Sequence, residues 1–281
     1  MSKTEYPSFP GLGVWAALLI ASSCVGFLII RMPSKEQQEK TAIQSWLLNQ
    51  STLSDKKPLI IILGTSLTGC GLDSTELLEK IIRERSGQEV SVIKIWKSDA
   101  SPNTFSELGT AIEKLKPAVV VTEANMLFYT FSKRKGWPTY VKRFRNFINA
   151  KNDHYFPDNK PIVLKRQMTQ LETFRNGLMD TTQLVSLGDL LAAWQKQGSR
   201  LILLNFPLEW PLEIKKWNSG DTTTFYQNVD YLRRRCAIQY TDPKMRLNEL
   251  NFIDHAHMNQ LGQKKQSLFF CNLVAGQLIK P

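Results

Sequence analysis

Pro58 to Gly64 reads PLIIILG, and Thr65-Ser66-Leu67 follow it directly. An aliphatic run without polar alternation marks a strand buried on both faces, as in a parallel sheet covered by helices. The character returns in Glu89–Trp96 (EVSVIKIW), Pro117–Glu123 (PAVVVTE) and Arg200–Phe206 (RLILLNF), with Cys236–Tyr240 a weaker fifth stretch. Helical patterns lie between: Asp73–Ser86, Asn103–Lys116 with Asn103 as expected N-cap, Leu184–Gln197, Asn228–Arg235 and Asn259–Ile279. Such alternation predicts an α/β domain, a three-layer α/β/α sandwich around a mostly parallel five-stranded sheet. No internal repeat or low-complexity tract interrupts it.

The chain has 281 residues, 42% of them apolar, enough for a sizeable core once an N-terminal segment is set aside. Net charge is +11, which suits an anionic partner: lipid headgroups, an acidic polymer or nucleic acid. The four cysteines, Cys24, Cys70, Cys236 and Cys271, form no C-x-x-C pair and have no zinc-type spacing with histidine. A disulfide-built scaffold is excluded by their scarcity, and one disulfide among the last three is left open. No cofactor or metal motif is present.

Gly11 to Ile30 (GLGVWAALLIASSCVGFLII) is twenty residues without a charge. As a helix it would span about 30 Å, the hydrocarbon thickness of a bilayer. A cleaved signal peptide has a shorter apolar core. Ala21-Ser22-Ser23-Cys24 has the outline of a lipoprotein cleavage box, but Val25–Ile30 carry the apolar run past it. The expected organisation is a tail over 1–10, a transmembrane anchor over 11–30, a juxtamembrane linker over 31–57 and an α/β domain over 58–281. Lys3 precedes the span while Arg31, Lys35 and Lys40 follow it. By the positive-inside rule that count points the domain toward the cytoplasm.

Residues 127–183 exceed what a crossover needs and read as an insertion or lid. Lys133, Arg134, Lys135, Lys142, Arg143 and Arg145 lie there, interleaved with Trp137, Tyr140, Phe144 and Phe147 and without an acidic residue between 131 and 147. The pattern suits either a solvated helix face or a surface for anionic lipid or acidic glycan. No nucleic-acid motif accompanies it.

Two stretches carry chemistry. Gly64-Thr65-Ser66-Leu67 puts a serine at the carboxyl end of the first buried strand, where α/β sheets bind ligands. Asp254-His255-Ala256-His257-Met258-Asn259-Gln260-Leu261-Gly262 sets a carboxylate three residues before a histidine, ahead of the last helix. A serine hydroxyl needs a base, and a histidine base needs a carboxylate to hold its tautomer. The third histidine, His154, lacks such a context.

Together these blocks resemble the SGNH (GDSL-type) hydrolase and acyltransferase superfamily. The resemblance covers essentially the whole domain and implies a flavodoxin-like sheet. It implies Ser66 as nucleophile, His257 as base and Asp254 as its carboxylate. It also implies an oxyanion site from Asn125 (in PAVVVTEAN) with backbone N–H groups at Ser66 and in the second block. Two departures stand out. Thr65 replaces the usual Asp before the serine, and the second block, Lys97–Asn103, has no glycine, leaving an N–H of Asp99 or Ala100 as the donor. Glu123 and Cys70 read as structural residues.

With an anchor and a basic insert, the chain resembles membrane-anchored members of bacterial envelopes. That implies a serine esterase or O-acyltransferase on acyl esters, acetyl above all, of a cell-envelope polysaccharide. It implies a single-pass protein of the cytoplasmic membrane, its domain extracytoplasmic (periplasmic) against the charge count, working beside a membrane O-acyltransferase or other envelope-assembly protein. The rival reading is a non-catalytic accessory protein that keeps the fold and uses its basic surface for a partner or polymer.

Overall fold

The computed structural model describes residues 11–31, 35–50, 57–97, 100, 102–106, 108–128, 181–218, 221–254 and 256–279. The chain divides into two compact units, Met1–Thr41 with Lys133–Asp153, and Ala42–Ser132 with His154–Pro281.

In the first unit the described part is helix α1 (Leu12–Arg31) and the start of α2 (Lys35–Asn49). Val14, Trp15, Leu18, Leu19, Ile20, Val25 and Phe27 of α1 are each more than half exposed. Among the described residues no helix is long and apolar enough to cross a membrane. The expected anchor segment is thus seen as a 20-residue helix, which by itself does not place it in a bilayer.

The second unit is built on β1 (Leu59–Gly64), β2 (Ser91–Trp96), β3 (Val119–Glu123), β4 (Arg200–Leu204) and β5 (Gln239–Thr241). The sheet is wholly parallel in the order β2-β1-β3-β4-β5. Side chains on a strand alternate between faces, and both faces are covered. Leu59, Ile61 and Leu63 of β1 join one core with Val120 and Leu203, while Ile60 and Ile62 join the other with Val121 and Ile202. Complete burial of such a side chain contributes about 1.5–3 kcal/mol, which is why unbroken aliphatic runs become central strands.

The first core is closed by α5 (Pro102–Ser106), α6 (Gly109–Leu115), α7 (Thr181–Lys196) and α9 (Asp221–Cys236), through Phe105, Ile112, Leu191, Trp194, Phe225 and Leu232. The second is closed by α4 (Thr75–Ser86) and α10 (Gln260–Ile279), through Leu78, Ile82, Phe270 and Val274. Leu47 of α2 is buried in the first core, so the end of the expected linker is a packed helix.

Several expected boundaries shift. The helix expected over 73–86 starts at Thr75, capped by the Ser74 hydroxyl. The one expected over 103–116 is two helices, and Asn103 is not its cap because Pro102 already occupies the first helical position, where its missing N–H costs nothing. Cys236 ends α9 instead of opening the fifth strand: Ala237 turns the chain with φ 44°, and β5 begins at Gln239. A helix α8 (Trp210–Asn218) follows β4 where none was expected. All four cysteines are free, and Cys70, Cys236 and Cys271 are buried.

Strand order places the site. The β1 and β3 crossovers leave in opposite directions, and the carboxyl ends of those neighbours form the crevice where this topology binds ligands. Leu63 is level with Thr122, so Gly64 and Glu123 come next side by side.

Candidate active site

Ser66 opens α3 (Ser66–Gly71), immediately beyond β1. Thr65 caps that short helix in extended conformation, its hydroxyl accepting from the Leu67 N–H at 3.1 Å. The Thr65 N–H donates to Glu123 Oε2 at 2.7 Å, the Thr68 N–H to the same oxygen at 3.3 Å, and the Gly69 N–H to the Thr65 carbonyl at 3.2 Å. Glu123 Oε2 also accepts from the Thr68 hydroxyl at 2.7 Å, and the Thr65 hydroxyl lies 2.8 and 3.0 Å from the two carboxylate oxygens. A side chain at position 64 would collide with the Thr68 side chain and stand 2.7 Å from Glu123 Oε2, so glycine is required there by close approach.

The second half of the site is the loop before α10. Phe252 and Met258 pair as an antiparallel bridge, and the Ile253 N–H donates to the His257 carbonyl at 2.8 Å, closing a tight turn over 253–257. Asn259 anchors the turn from both sides. Its Oδ1 caps α10 by accepting from Leu261 N at 2.9 Å and Gly262 N at 3.2 Å, and its Nδ2 donates to the Leu250 carbonyl at 2.8 Å. At Gly262 a Cβ would run into the Asn251 carbonyl, which accounts for the glycine that ends this block.

Within the turn, Asp254 Oδ1 accepts from the N–H groups of Ala256 at 2.8 Å and His257 at 2.7 Å. Asp254 Oδ2 lies 2.7 Å from His257 Nδ1, and His257 Nε2 lies 2.9 Å from Ser66 Oγ. Burial alone would raise the Asp254 carboxyl, but the hydrogen bonds from the His257 ring, the His257 N–H and the Ala256 N–H outweigh it and hold it at about 2. The carboxylate is therefore ionised at neutral pH and can only accept. Nδ1 of a neutral ring must then carry the proton, which leaves the Nε2 lone pair facing the serine hydroxyl. The structure thus brings Ser66, His257 and Asp254 into one hydrogen-bonded line across 191 residues of sequence.

Leu67 and Ala256, the neighbours of the nucleophile and the base, pack in one apolar cluster with Leu208 and Leu212. That cluster fastens the two halves of the line to each other. The end of α3 is closed by the buried Lys94, whose Nζ donates to the carbonyls of Leu72 and Asp73 at 2.9 Å each; burial pulls this ammonium down to about 8. Burial pushes the Cys70 thiol up to about 11, which keeps it protonated and unreactive at neutral pH.

The expected oxyanion donors fare differently. Among the described residues, the N–H groups of Thr65 and Thr68 donate to Glu123 and those of Leu67 and Gly69 to Thr65, which leaves the Ser66 N–H. The first residue of a helix has no intrahelical acceptor for its N–H. Asn125 is wholly buried, its Nδ2 donating to the Phe206 carbonyl and its Oδ1 accepting from the Phe206 N–H, both at 3.0 Å, so it ties the end of β3 to the loop after β4. The Ala100 N–H donates to the Lys97 carbonyl at 3.1 Å, closing the turn after β2, and is spent there instead of on an oxyanion. Asp99 lies outside the described residues, as do Lys133, Arg134, Lys135, Lys142, Arg143 and Arg145 of the basic insertion. Among the described residues no group of three or more His, Cys, Asp or Glu could hold a metal ion.

Glu123, read from the sequence as a strand end or a support behind the site, is in the fold the acceptor for Thr65 and Thr68. Its signal was present: an acid closing an otherwise apolar buried strand, VVVTE, must find several donors or be expelled.

No family model and no curated protein sequence matches the chain. Among solved structures, TesA covers 79% of this chain and 99% of its own, with 12% identity and a TM-score of 0.44. A lipase from a goat rumen metagenome covers 78% and 98%, with 16% identity and a TM-score of 0.42. A GDSL-like lipase of Bacteroides thetaiotaomicron covers 83% and 98%, with 8% identity and a TM-score of 0.42. At these scores the likeness to GDSL-like lipases carries no argument, and the site is defined by the contacts of Ser66, His257 and Asp254.

Proposed function

We propose that the chain is a membrane-anchored serine esterase or O-acyltransferase of the SGNH type. The observation that carries this is the line Ser66 Oγ–His257 Nε2–His257 Nδ1–Asp254 Oδ2, with spacings of 2.9 and 2.7 Å, at the crevice beside β1 and β3. Ser66 Oγ attacks an ester carbonyl while His257 takes its proton, and Asp254 stabilises the imidazolium. The carbonyl oxygen becomes an anion beside the Ser66 N–H. Collapse expels the alcohol with the proton from His257 and leaves an acyl-serine. Water then makes the enzyme an esterase; a sugar hydroxyl makes it a transferase.

Each oxyanion donor contributes about 10²- to 10³-fold to the rate in studied serine hydrolases. With the Ala100 N–H committed to the Lys97 carbonyl and one of the two Asn125 amide protons to the Phe206 carbonyl, turnover of a simple ester is expected to be slow. The same commitments favour the second reading, a non-catalytic accessory protein of an envelope polymer. For the setting we extend the first reading to acyl esters, acetyl above all, of a cell-envelope polysaccharide, on the extracytoplasmic face of the cytoplasmic membrane, beside a membrane O-acyltransferase. The uncharged run over 11–30 and the net charge of +11 support a membrane and an anionic partner.

The test is hydrolysis of an aryl acetate by the full chain in detergent, with labelling by a serine-directed phosphonate. Turnover abolished by Ser66→Ala and by His257→Ala, with the label on Ser66, supports the enzyme. A wild-type rate equal to both variants, with no label, decides for the accessory protein.

A further inference from the structure

We propose that Glu123 is a positioning residue of the nucleophile: its carboxylate, delivered from the end of β3, holds the Thr65–Thr68 turn so that Ser66 Oγ stays on His257 Nε2. The proposal rests on reading Ser66–His257–Asp254 as the reactive line.

Glu123 is 1% exposed. A carboxyl so placed costs several kcal/mol unless its oxygens are matched by donors. Here the donors all come from the two residues that bracket Ser66 at positions 65 and 68: two backbone N–H groups and two hydroxyls. The Thr65 hydroxyl accepts from Leu67 N, so its own proton is released toward the carboxylate, and a continuous chain runs from Leu67 N–H through Thr65 Oγ1 to Glu123. Burial raises the Glu123 carboxyl above its ordinary range, and the bonds from Thr68 and Thr65 counter it.

Three consequences favour a role in positioning over a simple helix cap. The bonds flank the nucleophile on both sides, so rotation of the turn that would move Ser66 Oγ breaks several together. They consume the neighbouring N–H groups, so the Ser66 N–H is the donor the turn leaves for an oxyanion. Lastly, the clamp explains Gly64, since the carboxylate and the Thr68 hydroxyl occupy the space a side chain would need. Where the family pattern has an acid directly before the serine, this chain has Thr65, and the acid bonded to Thr65 arrives from the neighbouring strand.

The test uses the full chain in detergent with ¹⁵N-labelled histidine, His257→Ala assigning the His257 signals. Ser66→Ala removes the hydroxyl from Nε2 and defines the shift that loss of contact produces. Glu123→Ala is expected to move the Nε2 resonance in the same direction, and Glu123→Gln, which keeps the shape and one acceptor oxygen, by less. Displacing a reacting group by about 1 Å costs on the order of 10²-fold, so Glu123→Ala is also expected to lose that factor in kcat per folded molecule with KM little changed. Thr68→Val, which withdraws only the 2.7 Å hydroxyl contact, gives the same reading in milder form should Glu123→Ala not fold.

An Nε2 resonance that stays at the wild-type position in Glu123→Ala or Thr68→Val, while Ser66→Ala moves it, overturns the proposal and leaves the enzyme reading standing. A resonance that follows Glu123 in a protein with neither esterase turnover nor a phosphonate label on Ser66 supports the positioning role and overturns the enzyme reading instead. A resonance indifferent to Ser66→Ala removes the contact and both ideas with it.

Discussion

Asp254→Asn isolates the tautomer argument on which the base depends. Asp254 Oδ1 accepts two backbone N–H groups at 2.8 and 2.7 Å, so the asparagine that replaces it must keep its oxygen there. Reversing the amide would set an NH2 against two N–H groups, at about 1–3 kcal/mol for each donor stranded. The Nδ2 of the new amide therefore faces His257 Nδ1, which must accept. The ring proton moves to Nε2 and points at Ser66 Oγ, 2.9 Å away, where a lone pair is needed. Reaching the reactive tautomer costs the amide reversal, roughly 2–6 kcal/mol, and the imidazolium also loses its counter-charge. We expect a loss of about 10³- to 10⁴-fold in kcat/KM, the order seen when the same change is made in a Ser-His-Asp protease. The melting temperature should fall by only about 2–4 °C, because the turn keeps its acceptor and loses only the charge. The assay is aryl acetate hydrolysis with a parallel thermal melt. A folded Asp254→Asn protein within about tenfold of wild type would refute the reasoning, since that is only about 1.4 kcal/mol of the barrier.

Three further outcomes follow from the same contacts. Asp254 is held at about 2 against an ordinary 3.8. A lowered folded-state value stabilises the protein above the unfolded value and loses that stabilisation as pH falls through the folded one. Partly screened by solvent, the shift is worth about 1 kcal/mol, and a urea-unfolding series from pH 5 to 2 should show wild type losing its advantage over Asp254→Asn. Asn125→Ala strands the Phe206 N–H and carbonyl, so it should lower stability by about 2–4 kcal/mol in the same denaturation assay, with a smaller effect on kcat. A drop of about 10²-fold in kcat with unchanged stability would instead make Asn125 an oxyanion donor. Gly64→Ala pushes a methyl against Thr68 and Glu123, and should cost about 1–3 kcal/mol by overpacking together with a fall in turnover, read by a melt and the ester assay.

What could be read from the chain alone were the features whose cause is local. Aliphatic runs such as LIIIL and VVV must bury both faces, so β1 and β3 were legible as central strands. The Asp254–His257 spacing was legible because one turn sets both groups, and the Asn259 and Gly262 of that block turned out to be its clamp and its point of close approach. Helix ends were read less well where a proline or a positive-φ residue overrode the pattern, at Pro102 and Ala237. Commitments between distant residues were decided by tertiary structure. The resemblance offered Asn125 and the N–H of Ala100 as oxyanion donors, and the fold bonds the Ala100 N–H to the Lys97 carbonyl and one amide proton of Asn125 to the Phe206 carbonyl. The sequence offered Glu123 as a strand end, and the fold makes it the acceptor for the turn around Ser66. The physical reason is that a hydrogen bond's partner is settled by which strand lies alongside, and the order β2-β1-β3-β4-β5, which lays β3 against the nucleophile's strand, is set by the packing of the whole sheet rather than by any stretch within it.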